Sequence, residues 1–153
     1  MITTFYIPIK IISGVGCFAQ LGAETANIGK KALLVTGKNA MRATGLLERA
    51  LADLKRNGVE TVVFDRIENN PRASTVDDGA AITRQEKIEV VIALGGGSAM
   101  DAAKGIVISS IGGKPIWHYV KTRQNISGDV PKLIAVPTVA ASGSESNCGA
   151  DMV

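Results

Sequence analysis

The sequence predicts an α/β fold, a mostly parallel sheet flanked by helices. Short apolar runs at 31–36, 90–94 and 132–137 each close at a glycine or a proline, as strands buried on both faces do. Helix-compatible stretches separate them at lengths that suit crossover connections. The second run meets Gly95, Gly96 and Gly97, then Ser98. Such a backbone turns tightly and presents N–H groups at the start of a helix. Right-handed crossovers would align the strand tips 35–37, 94–97 and 136–138 along one edge, where open α/β sheets bind ligands.

The elements follow in order. Residues 3–12 are β-branched and aromatic enough for a strand, which Pro8 confines to an edge or a bulge. Gly14-Val-Gly-Cys-Phe-Ala19 fits G-x-G-x-x-[GA] by letter, but it lacks a buried strand before it and an acid at the next strand tip. It reads better as a turn into a helix near 17–27, ended by Gly29, than as a phosphate loop. After the strand at 31–36, Thr44–Asn57 forms an amphipathic helix on Leu47, Leu51 and Leu54, capped by Thr44 and stopped by Gly58. Val59–Phe64 is the next strand, and Asn69-Asn-Pro71 breaks the chain. A helix then starts at Ser74 or Thr75 and runs to about Glu86, with Val76, Ala80 and Ile88 spaced for one face.

The strand at 90–94 leads through its glycine turn to a helix over about 98–110, with Ser98 suited to its N-cap. Ala99, Ala102, Ala103 and Gly105 leave that helix thin enough to lie close to the sheet. The stretch 111–121 reads as irregular, 132–137 as a strand, and nothing after Asn147 resembles a closing helix.

Length and composition narrow the function. A chain of 153 residues with 46% apolar content is most simply one domain with a real core. Its net charge of +3 comes from scattered residues and 4% aromatics make no stacking platform, so nucleic-acid and membrane-surface partners are not expected. Cys17 and Cys148 lack metal or redox spacing and read as reduced thiols. No signal peptide or membrane-length apolar run is present. A cytoplasmic protein is expected.

The glycine turn is a place for phosphate, because unpaired N–H groups and the positive end of a helix dipole face the anion together. A second small-residue loop, Pro137-Thr-Val-Ala-Ala-Ser-Gly-Ser-Glu145, follows the last strand at the same edge. Ser142, Ser144 and Glu145 have no histidine nearby to act as base, so acyl transfer is not expected.

The two loops, with Asp101 and Lys104, resemble the iron-dependent (group III) alcohol dehydrogenases. Members of that family carry Gly-Gly-Gly-Ser-x-x-Asp-x-x-Lys and, further on, Pro-Thr-x-x-x-(Thr/Ser)-(Gly/Ala)-Ser-Glu. Gly14 and Gly16, Val35-Thr-Gly-Lys38 and Asn70-Pro71 extend the resemblance over essentially the whole chain. It implies a Rossmann-like domain for the nicotinamide dinucleotide, spanning 1–153, and a helical domain holding Fe²⁺ or another divalent metal that this chain lacks. Gly95, Gly96, Gly97 and Ser98 would then cradle the pyrophosphate, and Thr138 and Ser142 would meet the phosphate and nicotinamide side. Asn70, Thr36, Gly37 and Lys38 would border the adenosine. Asp101 would approach the nicotinamide carboxamide or else serve as a first-turn acid. Lys104 is open between a cofactor-side cation, a loop brace and a solvated residue.

The family's metal ligands, an aspartate and three histidines, would lie past Val153, and the chain has one histidine, His118, which reads as a loop or surface-packing residue. No catalytic or metal-ligating residue is expected here, and the chain alone is expected to be inactive. Members preferring NAD commonly carry an aspartate at the strand tip where Gly37 stands. Glycine there, with Lys38 and Arg42 nearby, predicts NADP over NAD. A small alcohol or aldehyde would be the full enzyme's substrate. Apolar surface left by a missing domain, near the strand tips and 111–121, implies self-association. The rival readings are a glycerol-dehydrogenase-like or dehydroquinate-synthase-like relative, and a free-standing, non-catalytic dinucleotide-binding module.

Overall fold

The computed structural model describes residues 8–124, 126, 128–140 and 143–153. Its sheet has four parallel strands, β1 (Lys31–Gly37), β2 (Glu60–Ile67), β3 (Val90–Gly95) and β4 (Lys132–Pro137), in the order β2-β1-β3-β4. The helices are α1 (Leu21–Ala26), α2 (Ala40–Ala43), α3 (Leu46–Arg56), α4 (Ala73–Gln85), α5 (Gly97–Gly112) and α6 (Ile116–Thr122).

The period-2 geometry of a strand sorts each apolar run between two cores. Leu33 and Val35 of β1 join Phe64, Val91 and Ala93, packed with Met100 and Ile106 of α5 and Val76 of α4. Ala32 and Leu34 face the other way, with Ile92 and Leu94 against Leu21 of α1 and Leu47 and Leu54 of α3. Leu33, Leu34, Val91 and Ile92 are fully buried, which is why β1 and β3 read as unbroken apolar runs. Burial on this scale stabilises the fold by roughly 1.5–3 kcal/mol for each large aliphatic side chain.

The chain steps outward from β1 to β2, then crosses back to β3 on the other side of β1. The order therefore reverses between the ends of β1 and β3, and a crevice forms where such a reversal occurs. α4 and α5 approach closely because each offers a glycine to the other. A Cβ on Gly79 would stand 2.5 Å from Ile106 Cδ1, and one on Gly105 2.8 Å from Val76 Cγ1. Gly105 thus thins α5 toward α4, while Ala102 and Ala103 are the fully buried small residues of the core below.

Several local expectations are corrected. Residues 8–13 form no strand, and 3–7 lie outside the described residues. Pro8 has no N–H to give, and Ile9 and Ile11 are exposed. The Gly14–Ala19 stretch, by contrast, is the turn expected, closed by Cys17 N–H to Gly14 O and Ala19 N–H to Gly16 O, and it leads through a 3₁₀ segment, Cys17–Gln20, into α1. Those N–H groups are used internally. Thr44 does not cap α3: its hydroxyl donates back to Ala40 O at 3.0 Å, and Gly45, at φ 70°, stands at the cap. α4 begins at Ala73 and ends at Gln85, so Ile88 is buried in the following turn rather than on a helix face. Residues 116–122 are helical, where an irregular stretch was expected, and Ser144–Ser146 form a short 3₁₀ turn. Among the described residues, no helix is long and apolar enough to cross a membrane.

Candidate functional site

The glycine turn ends β3 and starts α5. Gly95 sits at φ 152°, a conformation that favours glycine, and a Cβ there would approach Ala99 Cβ at 3.1 Å. Gly96 is the N-cap of α5, and a Cβ on it would meet Val139 Cγ2 at 3.2 Å. Ser98 is therefore the second residue of the helix, two positions past the cap where it was expected, and its hydroxyl donates to Asn69 O on the loop after β2. Gly96 O takes the N–H groups of Ala99 and Met100. The Gly97 and Ser98 N–H groups have no intrahelical acceptor, as at every helix start.

Beside the turn lies an open cavity of about 290 Å³. Asn69, Asn70 and Pro71 form one wall, Gly97, Ser98 and Asp101 another, and Asp151–Val153 a third. The size sits near the lower end for small-molecule sites. Of the expected site residues, Asn70, Gly97, Ser98 and Asp101 thus share one cavity. Thr138 is tied to it through its N–H, which donates to Gly95 O at 3.0 Å. Ser142 lies outside the described residues.

The end of β1 presents a different surface. Thr36 is fully buried, and its hydroxyl has no partner among the described residues. Gly37 is half-buried and has room for a side chain: a Cβ there meets only Ile67 O, at 3.5 Å. Lys38 is exposed. Arg42, the second cation expected there, is engaged: its guanidinium donates to Asp65 Oδ2 at 2.6 Å. That hydrogen bond holds the Asp65 carboxyl below its ordinary range and pushes Arg42 higher still. At the end of β2, burial opposes the Glu68 carboxylate, but its backbone N–H and the Thr75 hydroxyl hold the carboxyl below its usual value. Its Oε2 is buried without a partner among the described residues.

Asp101 and Lys104 point to the second loop. Asp101 Oδ1 accepts from the Ser144 hydroxyl at 2.6 Å, and Oδ2 from Asp151 N–H at 3.2 Å. Lys104 donates to Ser144 Oγ (2.8 Å), Asn147 Oδ1 (3.1 Å) and Gly149 O (2.6 Å). Residues 151–153 are pinned at the far side as well, by Val153 N–H to Pro71 O and Ala73 N–H to Val153 O. Sequence reasoning missed this last wall, because nothing in Cys148–Val153 announces it. His118 lies on α6, edge-on to Tyr119 with its Nε2 3.4 Å from Gln124 Oε1. It is a surface helix residue rather than a loop residue. Among the described residues, no group of three or more His, Cys, Asp or Glu side chains is placed to hold a metal ion.

Comparison with known proteins adds the lineage. Residues 8–152 match the family described as iron-containing alcohol dehydrogenase. The chain is 35% identical over 140 residues to methanol:N,N-dimethyl-4-nitrosoaniline oxidoreductase of Rhodococcus erythropolis, covering 90% of this chain and 33% of that protein. The structure of NADH-dependent butanol dehydrogenase A from Thermotoga maritima superposes with a TM-score of 0.88 at 30% identity, over 95% of this chain and 36% of the other. Sulfoacetaldehyde reductase from Bifidobacterium kashiwanohense, solved in complex with NAD⁺, superposes with a TM-score of 0.83 at 30% identity, over 97% and 39%. The chain therefore spans about a third of the length of the curated relatives it matches. With the glycine turn and the strand order in place and the family match running over residues 8–152, the chain belongs to the iron-containing alcohol dehydrogenase family.

Proposed function

We propose that residues 1–153 are the dinucleotide-holding unit of an alcohol dehydrogenase, which passes hydride between a primary alcohol or aldehyde and a nicotinamide ring. The observation that carries this is the glycine turn: a 16-residue helix begins at the reversal point of a parallel sheet, with the Gly97 and Ser98 N–H groups left without an acceptor inside the helix. The cradle suits a phosphate, since a side chain at Gly95 or Gly96 would crowd Ala99 or Val139. Gly96, Gly97 and Ser98 bind the pyrophosphate, Thr138 and Ser142 the neighbouring phosphate and nicotinamide side, and Asn70 with Thr36–Lys38 the adenosine. Thr36 is fully buried, so it supports that surface from beneath rather than meeting the nucleotide. A bound nicotinamide supplies the hydride acceptor or donor. The described residues do not assemble a metal centre.

NADP is the preferred dinucleotide in this reading. Gly37 puts no carboxylate against a 2′-phosphate, and Lys38 adds positive charge beside it. A second reading, NAD, draws on the Arg42–Asp65 pair, which commits one of the two expected cations elsewhere. Fluorescence titration of NADPH and NADH into the wild-type chain and Gly37→Asp decides between them. The wild type should bind NADPH more tightly, and Gly37→Asp should weaken NADPH about tenfold while sparing NADH, because like charges then face each other. Tighter NADH binding by the wild type refutes the NADP assignment. Binding of neither refutes the dinucleotide site.

A further inference from the structure

We infer that Asp101 and Lys104 are positioning residues for this site: together they hold the 144–151 segment against α5, so that the Asp151–Val153 wall beside the phosphate cradle exists before any nucleotide arrives. The inference rests on the dinucleotide reading and gives Asp101 and Lys104 a role that needs no contact with the ligand.

An ammonium has three donors and no acceptor. Lys104 finds an acceptor for each: the Ser144 hydroxyl, the Asn147 side-chain carbonyl and the Gly149 backbone carbonyl, at 2.8, 3.1 and 2.6 Å. Its side chain is only 12% exposed. A solvated helix lysine would keep its amino group in water, and withdrawing a charge from water is costly unless it is paired and hydrogen-bonded. Asp101 stands one turn earlier on the same helix face, its carboxylate 3.9 Å from the ammonium. Ser144, 2% exposed, joins the two: its hydroxyl donates to Asp101 and accepts from Lys104. The second carboxylate oxygen of Asp101 takes the Asp151 N–H.

The consequence lies at the other end of the same segment. Thr138 is tied by its N–H to Gly95 O, and Val139 packs on Gly96. The chain that leaves β4 is therefore fastened to the glycine turn first and to Lys104 second. Both anchors belong to the one β3–α5 unit that makes the cradle. A wall set in place beforehand spares the ordering cost that nucleotide binding would otherwise meet.

The test uses the 153-residue chain, wild type and Lys104→Met. NADPH affinity is read by fluorescence titration, backbone hydrogen exchange over 143–151, and thermal melting. Lys104→Met should bind NADPH on the order of tenfold more weakly. The amides of Ser146, Gly149 and Asp151 should lose protection while the melting temperature moves little. Lys104→Arg keeps the charge without the compact three-donor head and should recover only part of the affinity. Unchanged NADPH affinity in Lys104→Met overturns the inference. So does lost affinity with full protection over 143–151, which would mark Lys104 as a direct ligand contact. If Lys104→Met does not fold, Ser144→Ala takes its place: several-fold weaker binding with lost protection at Gly149 supports the brace, and wild-type behaviour in both overturns it. A wild-type chain that binds no dinucleotide overturns the site reading alone, and the exchange data still decide whether Lys104 holds the segment.

Discussion

The residues of this chain divide by how far away their partners stand. Gly95 was readable from its neighbours, because a φ of 152° and the close Ala99 are local facts of a strand turning into a helix. Lys104 was not. Its acceptors lie 40 to 45 positions along the chain, and sequence left three roles open. Ser98 shows the same effect on a smaller scale: its hydroxyl suited an N-cap but reaches Asn69 O across to the next loop. Arg42 is a third case, since it lies on α2 and its partner Asp65 on β2. That pair makes a prediction in pH. Arg42 lowers the Asp65 carboxyl in the folded chain, so its stabilisation is complete above the unfolded value of about 3.9 and is lost as pH falls through the folded value. Asp65→Asn should therefore lower the urea midpoint slightly at neutral pH, and the gap to wild type should close in strong acid. The effect is small because the pair is exposed to solvent. An equal gap at both pH values would disconnect Asp65 from the acid limb.

The elements were legible wherever burial repeats along them. β1 and β3 are covered on both faces and read as continuous apolar runs, and α3 buries Leu47 and Leu54 as its spacing predicts, with Ala50 between them and Leu51 only half-buried at the edge. Residues 8–12 have strand-like composition, but composition needs an edge to pair with, and the described segment finds none. α6 was missed for the opposite reason. Gly112-Gly-Lys-Pro115 reads as a break, yet Pro115 is acceptable at a helix start, and the first free N–H, that of Ile116, is taken by Asp77 Oδ1 at 2.7 Å. The cap comes from α4, 39 residues away. Asp77→Ala should thus fray α6, costing about 0.5–2 kcal/mol as cap losses do. Hydrogen exchange at 116–119 measures it, and unaltered protection there would show that Asp77 does not hold the helix.

At the scale of the whole molecule, one sheet separates two apolar clusters, and Leu33 and Leu34 are adjacent residues that serve opposite ones. Both are fully buried. Leu33→Ala and Leu34→Ala should each cost about 2–5 kcal/mol, and each variant should still unfold in a single transition, because the shared sheet joins the clusters. Urea denaturation followed by circular dichroism checks this, and a second transition in either variant would mean that the faces melt separately. By itself the sequence determined the parallel α/β architecture, the glycine turn at the start of α5 and the pairing of two small-residue loops that marks the family. Each of these acts through backbone geometry or through periodic burial, which neighbouring residues express. Only the tertiary structure decided which partner each polar group finds: Lys104 on Ser144, Asn147 and Gly149, Asp77 on α6, and the Val153 backbone on Pro71 and Ala73. Those partners come within reach only after the sheet has ordered its strands, so no local pattern could announce them.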